Sequence, residues 1–569
     1  MKKFLIFLLV GAMAASAVAC SSAPGTASGT PPQGDVSSGT ETTAMRSNFA
    51  GTAEPDMVTV DLRAEPPDLN PITTSDVTSA NVLRLTTAGL MKLDANDQPQ
   101  MDLATDYTVS DDGRTYTFTL REDAVWNNGD PVTAHDFIFA WTTGMKQETA
   151  SVYGFILYNN ILNGDKYFAG EIDESELGCR AIGDYTLEVT FNQPIPYALN
   201  LFAFQTYLPI NQEIYEAAGT NADGGSLYNT EVDLMGYNGP YKVTSWSHNS
   251  EMILEKNENY YDADSISIPK IRYTMMNDAN TRMNAFQGGE VDSIHLNAQQ
   301  IEQMQQMNEP IYTYNNNGNW YFQYNTQGHA VMQNEKIRMA LGEAIDAQSF
   351  IDNVLRDGSE LAYGLVPTTI SGANGGKYVD GRANLIDHDV SGAKALFDEG
   401  LAELNMTADQ VQLTFVCDDT TDAQTYAAYF QQQWQEVLGI TVDIQPMQFQ
   451  ARLDAMRNGN FDIVFAGWSP DYNDALTFLD MFMTNNGNNY GKYSNTEYDN
   501  LLTQAMAEAD PAARQALLQQ AETMLVQEDC AVYPVYFQVV SYVHSNKLQG
   551  MTKTGFQEYD FCDGATISQ

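Results

Sequence analysis

Arg114-Thr-Tyr-Thr-Phe-Thr-Leu-Arg121 is the stretch that decides the fold class, because polar and apolar residues alternate strictly along it. Strict alternation predicts a strand with one buried face, which carries Tyr116, Phe118 and Leu120. Residues 185–191 repeat the alternation and stop before Gln193-Pro194, a typical end of a strand. This part of the chain is therefore expected to contribute half-buried strands.

Helices and strands alternate further along the chain. Residues 423–438, 440–444, 449–457 and 461–465 predict helix, strand, helix and strand in turn. That succession is typical of a parallel sheet with crossover helices. Other helices are expected over 278–288, from Asn334 to Ile345 and from Asp510-Pro511 onward, with a short apolar turn over 291–294. The fold class is α/β.

The composition excludes some partners. The chain has 569 residues, and its acidic excess of 74 Asp and Glu over 28 Lys and Arg gives a formal net charge of −46. Nucleic acid is not expected as a partner, because phosphate neutralisation needs basic residues. The same charge balance counts against an anionic membrane surface as a partner. A broad acidic excess mainly keeps a protein soluble.

The N-terminus predicts export. Lys2 and Lys3 precede an apolar run over 4–10, and small residues follow as far as Cys20, so residues 1–19 are expected to be a signal peptide. Cys20 resembles the lipidated cysteine of bacterial lipoproteins, although Ala17-Val18-Ala19 also suits the ordinary signal peptidase. Residues 20–55 are rich in Ser, Gly, Thr and Pro and predict a flexible tether. We expect an extracytoplasmic protein anchored to the cell membrane by a lipid on Cys20.

No catalytic or metal-binding motif is visible. The histidines are scattered without an H-E-x-x-H pair, and neither a G-x-S-x-G elbow nor an EF-hand pattern occurs. Residues 372–377 resemble a phosphate loop but are one residue short and precede Tyr378. We expect no enzyme, no metal and no cofactor. The remaining cysteines, Cys179, Cys417, Cys530 and Cys562, leave one or two disulfides possible without indicating their pairing.

One long motif carries a family resemblance. It runs through Pro99-Gln-Met-Asp-Leu-Ala-Thr-Asp-Tyr107, Asp112-Gly-Arg-Thr-Tyr-Thr-Phe-Thr-Leu-Arg121 and Trp126-Asn-Asn-Gly-Asp-Pro-Val-Thr-Ala-His-Asp-Phe137. Asn238-Gly-Pro-Tyr-Lys-Val243, Lys256-Asn-Glu-Asn-Tyr-Tyr-Asp262 and Gly467-Trp-Ser-Pro-Asp471 extend it. From about residue 56 onward the chain resembles the extracytoplasmic solute-binding proteins of family 5, the peptide and nickel receptors of ABC importers.

The resemblance implies a two-lobed, periplasmic-binding-protein-like clamp of type II, cluster C, with an extra inserted domain. Its implied boundaries are 56–87, 210–315 and 540–569 for lobe I, 88–209 for the inserted domain and 316–539 for lobe II. The ligand would lie between lobes that close by a hinge motion. The family also implies an oligopeptide ligand, an ABC permease with its ATPase subunits as partners, and a monomer.

The resemblance also implies ligand-binding residues. Two segments match the family's strand contacts to peptide main chain, Ser75-Asp76-Val77 and Gly467-Trp468-Ser469. Asp471 matches the acid that binds the peptide α-amine, which suits a carboxylate that needs a partner when buried. Pocket walls are matched by Tyr153, Phe449 and Trp468, and further hydrogen bonds by Asn238 and Asn489.

The chain departs from the classical oligopeptide receptor at two positions. Phe465 stands where that receptor has an arginine, and Ala423 where it has a histidine that holds the peptide carboxylate. Longer peptides, or a carboxylate held by other residues, become alternatives to fixed-length tripeptides. An oligosaccharide or metal-chelate ligand on the same scaffold, and a peptide-sensing surface receptor without transport, remain further alternatives.

Overall fold

The computed structural model describes residues 46–558, 561–562 and 564–568, and within them the side chains of Phe449 and Gln450 are not described. The predicted signal peptide, Cys20 and most of the predicted tether lie outside the described residues. The described residues belong to one unit, 45–569. None of the helices in this described part is long and apolar enough to cross a membrane.

The strands are short except for β12 and β17, the two long strands at the centre of the main sheet. Their bounds are β1 Met57–Asp61, β2 Met91–Leu93, β3 Pro99–Met101, β4 Ala104–Val109, β5 Thr115–Leu120, β6 Cys179–Gly183, β7 Thr186–Thr190, β8 Tyr241–Ser247, β9 Glu251–Lys256, β10 Lys270–Thr274, β11 Ser293–His295, β12 Tyr312–Tyr324, β13 Glu360–Leu361, β14 Thr414–Asp418, β15 Asp443–Met447, β16 Ile463–Trp468, β17 Val532–His544, β18 Leu548–Gln549 and β19 Thr566–Ile567.

The helices lie between these strands. Their bounds are α1 Val77–Thr86, α2 Ala134–Gly144, α3 Gly154–Tyr158, α4 Gly164–Phe168, α5 Ala198–Leu201, α6 Gln212–Ala218, α7 Ala279–Gly288, α8 Ala298–Gln306, α9 Glu335–Glu343, α10 Ala347–Phe350, α11 Val390–Glu403, α12 Thr421–Gln433, α13 Phe449–Arg457, α14 Leu476–Leu479, α15 Thr496–Ala507 and α16 Pro511–Thr523.

The main sheet has the order β15-β14-β16-β12-β17-β11-β1-β10-β9-β8, with β13 also paired to β17. The long strands β12 and β17 run antiparallel and join its two halves. The register between them shifts over the interval from Asn315 to Asn319. Register shifts of this kind typically bend a strand and increase its local twist.

A separate antiparallel sheet has the order β4-β5-β7-β6. Tyr116, Phe118 and Leu120 of β5 are buried, which confirms the predicted half-buried strand. Phe118 packs edge-on against Phe202, with ring centroids 4.8 Å apart. This sheet and α2–α5 form the part of the protein that holds Tyr153.

Most predicted helices are confirmed, with bounds that differ by a few residues. The helix expected over 278–288 is α7, capped by Asp278 and followed by Gly289 in the left-handed region. The proline after Asp510 occupies the first turn of α16. The Asn334 side chain caps α9 by accepting a hydrogen bond from Ile337 N. Caps are predictable because their hydrogen bonds are local.

Two local predictions are wrong. The predicted turn over 291–294 contains the start of β11, because pairing with β1 and β17 satisfies its backbone there. The strand predicted over 440–444 begins later, at Asp443, although Ile440 and Val442 are buried. The parallel pairing predicted for this region is confirmed, since β14 runs parallel to both β15 and β16.

Candidate functional site

A cavity of about 340 Å³ lies beside the start of α1 and the segment that follows β16. Several of the predicted site residues line this cavity: Ser75, Asp76, Val77, Tyr153, Ser469 and Asp471. They come from three distant parts of the sequence. The structure therefore brings all of the first predicted strand-contact segment together with the predicted amine-binding acid. Of the second segment only Ser469 lines the cavity.

Asp471 is held by two hydroxyl groups. The Tyr153 hydroxyl donates to Asp471 Oδ1 over 2.9 Å, and the Thr477 hydroxyl donates to Oδ2 over 3.4 Å. The backbone N–H of Asp471 donates to the same Thr477 oxygen over 3.2 Å. These contacts orient the carboxylate but bring no positive charge to it.

The electrostatics of Asp471 follow from that arrangement. Burial raises the pKa of Asp471 to about 7, and the hydrogen bonds from Tyr153 and Thr477 oppose the rise. Among the described residues no cation contributes to this balance. A buried carboxylate without a counter-charge is costly, and a ligand ammonium would remove that cost. The site suits a cationic group.

Unlike Asp471, the neighbouring acid Asp474 has a cationic partner within the protein. Arg514 binds it with both terminal nitrogens, over 2.7 and 2.8 Å, in a buried bidentate pair. A nearby third acid, Asp480, has its pKa raised to about 8, first by burial and then by the charges of Asp471 and Asp474. Arg514 is thus already paired with Asp474.

The segment before α1 lines the cavity and caps the helix. The Asp76 carboxylate accepts hydrogen bonds from Ser79 N over 2.8 Å and from the Ser79 hydroxyl over 2.7 Å, which caps α1. The Val77 side chain is half exposed where it lines the cavity. An extended segment ending in a cap can present its amide groups to a ligand.

The end of β16 has an open edge on one side. Gly467 and Trp468 pair with Trp320 and Asn319 of β12 on the other side. On β16 only Ile463 and Val464 pair with the parallel neighbour β14, so no described strand pairs with this edge of β16 beyond Val464. An unpaired strand edge can accept an extended chain by main-chain hydrogen bonds.

Four predicted residues with described side chains or backbone do not line this cavity: Gly467, Trp468, Asn238 and Asn489. Asn238 is buried and accepts a hydrogen bond from Ala88 N over 2.9 Å. The Asn489 amide donates to carbonyls of its own loop, including Tyr493 O over 2.7 Å. Trp468 Nε1 donates to the Thr477 hydroxyl over 3.3 Å. The Phe449 side chain is outside the described residues.

Several cavity residues carry no signal in the sequence. These residues are Arg63, Arg84, Asn200, Phe204, Gln538 and the segment Thr554, Gly555, Phe556, Gln557 and Glu558. Phe204 packs against Tyr153 with ring centroids 5.6 Å apart. Only the fold brings these residues to one cavity, and no short motif could have identified them.

The structure also shows the surroundings of the two residues at which the chain departs from the classical receptor, Phe465 and Ala423. Phe465 is buried among aromatic rings, with its centroid 5.0 Å from that of Phe430 and 5.2 Å from that of Phe322. Ala423 lies in the first turn of α12, where its N–H donates to the Thr420 hydroxyl over 3.2 Å. Neither position supplies a cation to the cavity.

No metal or disulfide feature adds to the site. No group of His, Cys, Asp and Glu in the described part of the chain is arranged to hold a metal ion. Cys179, Cys417 and Cys530 are buried thiols, and the four described cysteines form no disulfide with one another.

A two-lobed α/β fold with a cavity between segments that follow β1 in one half of the main sheet and β16 in the other defines a solute-binding protein. The family model for bacterial extracellular solute-binding proteins, family 5 Middle, matches residues 98–490. The chain belongs to this family of extracellular binding proteins.

Known relatives cover nearly the whole length. The oligopeptide-binding protein OppA of Bacillus subtilis is 32% identical over 88% of this chain and 91% of its own. Listeria monocytogenes OppA bound to peptide matches with a TM-score of 0.81 at 32% identity, covering 91% of this chain and 100% of that chain. The substrate-binding domain of an oligopeptide ABC transporter from Bacillus anthracis matches with a TM-score of 0.82 at 31% identity, with the same coverage.

Proposed function

We propose that this protein is the substrate-binding lipoprotein of an ABC importer, which captures oligopeptides between two closing lobes and delivers them to a membrane permease. The observation that carries the proposal is the partly buried Asp471 carboxylate, which lines the cavity without a cationic partner among the described residues. The names of the relatives support it, since they are oligopeptide-binding proteins.

The chemistry of capture uses what all peptides share. The α-ammonium of a peptide would pair with Asp471, and the open edge of β16 would bind main-chain amides. Ser75, Asp76 and Val77 would face the peptide from the opposite side. Side chains would contribute little to such contacts, so one site can accept many sequences.

Closure of the two lobes would bend the main sheet at β12 and β17. Both strands cross between its halves, and their register shift lies between Asn315 and Asn319. The proposed boundaries at residues 315/316 and 539/540 fall within these two strands. A bulged region absorbs changes in backbone angles more readily than a regular ladder does.

The proposed location and partners follow from the N-terminal sequence and the family. Lipidation of Cys20 and a tether over 20–55 would keep the protein near the membrane, where a permease and its ATPase subunits would receive the peptide. We propose a monomer that performs no reaction on its ligand.

A sugar ligand is less well supported. Trp468, which would stack on a sugar ring, does not line the cavity, and its indole N–H is bonded to Thr477. A neutral sugar would also leave the Asp471 carboxylate without a counter-charge.

Two measurements test the proposal. Native mass spectrometry of the purified mature protein is expected to release a ladder of peptide masses, and hexose spacings would contradict it. Calorimetry with the peptides found is expected to show that Asp471→Asn weakens binding by about 3 kcal/mol or more, because a buried charge pair is broken. Asp398→Asn, which changes an exposed acid paired with Lys394, is the matched control.

A further inference from the structure

Arg84 lines the cavity without a side-chain hydrogen bond or ion pair to a described residue. It lies in the last turn of α1, between the buried residues Leu83 and Leu85, yet its own side chain is exposed and lines the cavity. Desolvation by the cavity walls lowers the pKa of the guanidinium, and the charges of Asp97 and Glu558 oppose that effect. An arginine side chain nevertheless keeps its charge.

Two other basic residues, Arg63 and Lys92, line the cavity. Arg63 forms an ion pair with Glu558 over 2.8 Å. Lys92 acts on Asp102 through its charge alone, which helps to lower the Asp102 pKa against a larger effect of burial. Within the described residues no hydrogen bond or ion pair of the Arg84 guanidinium is found.

The acids near Arg84 are already engaged. Glu558 accepts hydrogen bonds from Arg63 and from the Asn81 amide, the latter over 2.9 Å. Asp97 accepts from the Thr554 hydroxyl and from backbone N–H groups of Gly555 and Phe556. Arg84 therefore balances these acids only at a distance. A cation at a helix C-terminus is mildly favourable, but that does not require it to face a cavity.

The geometry of α1 relates Arg84 to Asp471. Val77, Ala80 and Arg84 are spaced three and four residues apart, so they share one helix face, and all three line the cavity. The rise from Val77 to Arg84 is about 10 Å at 1.5 Å per residue. An extended tripeptide spans about the same length. Asp471 and Arg84 thus line the same cavity, and Arg84 lies about two helical turns beyond the start of α1.

We propose that Arg84 binds a carboxylate of the ligand, so that a short peptide is held between Asp471 at its amine and Arg84 at its acid. The inference rests on the proposed function and deepens it, because it supplies a cation that Phe465 and Ala423 do not. The carboxylate belongs either to the peptide C-terminus or to an acidic side chain near it. A guanidinium suits both, since it binds carboxylates through paired N–H groups.

The test is calorimetry of the full mature protein with alanine-based peptides of three, four and five residues. Each peptide is compared as the free acid and as the C-terminal amide, and a second pair of amides carries Glu or Gln at the last position. Wild type, Arg84→Gln and Arg84→Lys are measured. Arg180→Gln, which changes an exposed arginine paired with Glu188, is the control, and thermal unfolding reports on the fold.

In wild type, at least one length is expected to bind about tenfold more tightly with the carboxylate than without it, the scale of one charge-assisted hydrogen-bonded pair. Arg84→Gln is expected to abolish this preference and leave amide binding unchanged, while Arg84→Lys keeps part of it. A preference between acid and amide assigns the C-terminus, and one between Glu and Gln assigns the side chain.

A preference that survives in Arg84→Gln, or the absence of any preference in wild type, overturns the inference while peptide binding itself stands. Failure of wild type to bind any peptide overturns the proposed function and this inference together. If Arg84→Gln does not fold, Arg84→Lys carries the test, because it keeps the charge but loses the paired donors: an undiminished carboxylate preference in that variant would contradict bidentate binding.

Discussion

The hydroxyl of Tyr153 donates a hydrogen bond of 2.9 Å to Asp471 Oδ1, although the two residues are 318 positions apart. Tyr153 precedes α3 beside the smaller sheet, and Asp471 follows β16 of the main sheet. The contact closes one wall of the cavity and orients the carboxylate. It also raises the pKa of Tyr153 well above its usual value, after the larger effect of burial.

Replacement of Tyr153 by Phe is expected to weaken peptide binding. The change removes a donor to a charged acceptor, which is worth about 1.5–3 kcal/mol. The remaining Thr477 contact leaves the carboxylate less well oriented and its pKa higher. Calorimetry at pH 7.5 measures the loss. Tyr158→Phe, which changes a tyrosine outside the cavity lining, should bind peptide as wild type does, and equal losses in both variants would contradict the role of Tyr153.

Peptide affinity is expected to fall below about pH 7. Burial raises the pKa of Asp471 to about 7 in the unliganded protein, so at lower pH the carboxyl must release a proton before it can pair with an ammonium. The apparent affinity should then decrease by up to about tenfold per pH unit. Calorimetry between pH 5 and pH 8 measures the profile. Asp471→Asn should remove this dependence, and an unchanged slope in that variant would exclude Asp471 as the titrating group.

The stability of the unliganded protein should show the reverse trend. Because the folded-state pKa of Asp471 lies above the ordinary value of 3.8, the folded state binds more protons than the unfolded state between about pH 4 and pH 7. The contribution of Asp471 to the free energy of unfolding therefore falls as pH rises through that window. Asp480, with a pKa of about 8, extends the trend upward. Thermal unfolding of wild type against Asp471→Asn isolates the part due to Asp471.

Arg514→Met is expected to destabilise the fold by about 3–5 kcal/mol. The change leaves the buried Asp474 carboxylate without its bidentate partner, and broken buried pairs cost this amount. Denaturant unfolding measures the free energy of unfolding. Lys394→Met breaks an exposed pair with Asp398 and should cost about 0–1 kcal/mol. Similar losses in the two variants would show that Asp474 tolerates the missing charge.

Gly467→Ala should also destabilise the protein, by about 1–3 kcal/mol, as overpacked substitutions do. A Cβ at this position would lie 2.8 Å from Trp320 Cε2, so β12 and β16 would have to separate. Gly183→Ala is the matched control, because a Cβ there meets nothing within 4 Å. Its stability should be unchanged or slightly raised. Equal stability of both variants would mean that Trp320 moves aside without cost.

Local hydrogen bonding and periodicity allowed much of the fold to be predicted from the sequence. The alternation of β5, the Asp278 and Asn334 caps and the proline of α16 depend on neighbouring residues, so each was predictable. The true start of β15 and the identity of β11 as a strand were not. Both depend on partner strands that lie far away in the sequence.

The candidate site divides in the same way. The sequence by itself determined that Asp471, Ser75, Val77 and Tyr153 were candidates, because a family resemblance runs through the chain. Only the tertiary structure decided that the side chains of Asn238 and Asn489 form hydrogen bonds with nearby backbone groups, and that Arg84 lines the cavity. The physical reason is that charge compensation depends on distance in space: Asp474 has an arginine within 2.7 Å, whereas Asp471, three residues earlier, has none among the described residues.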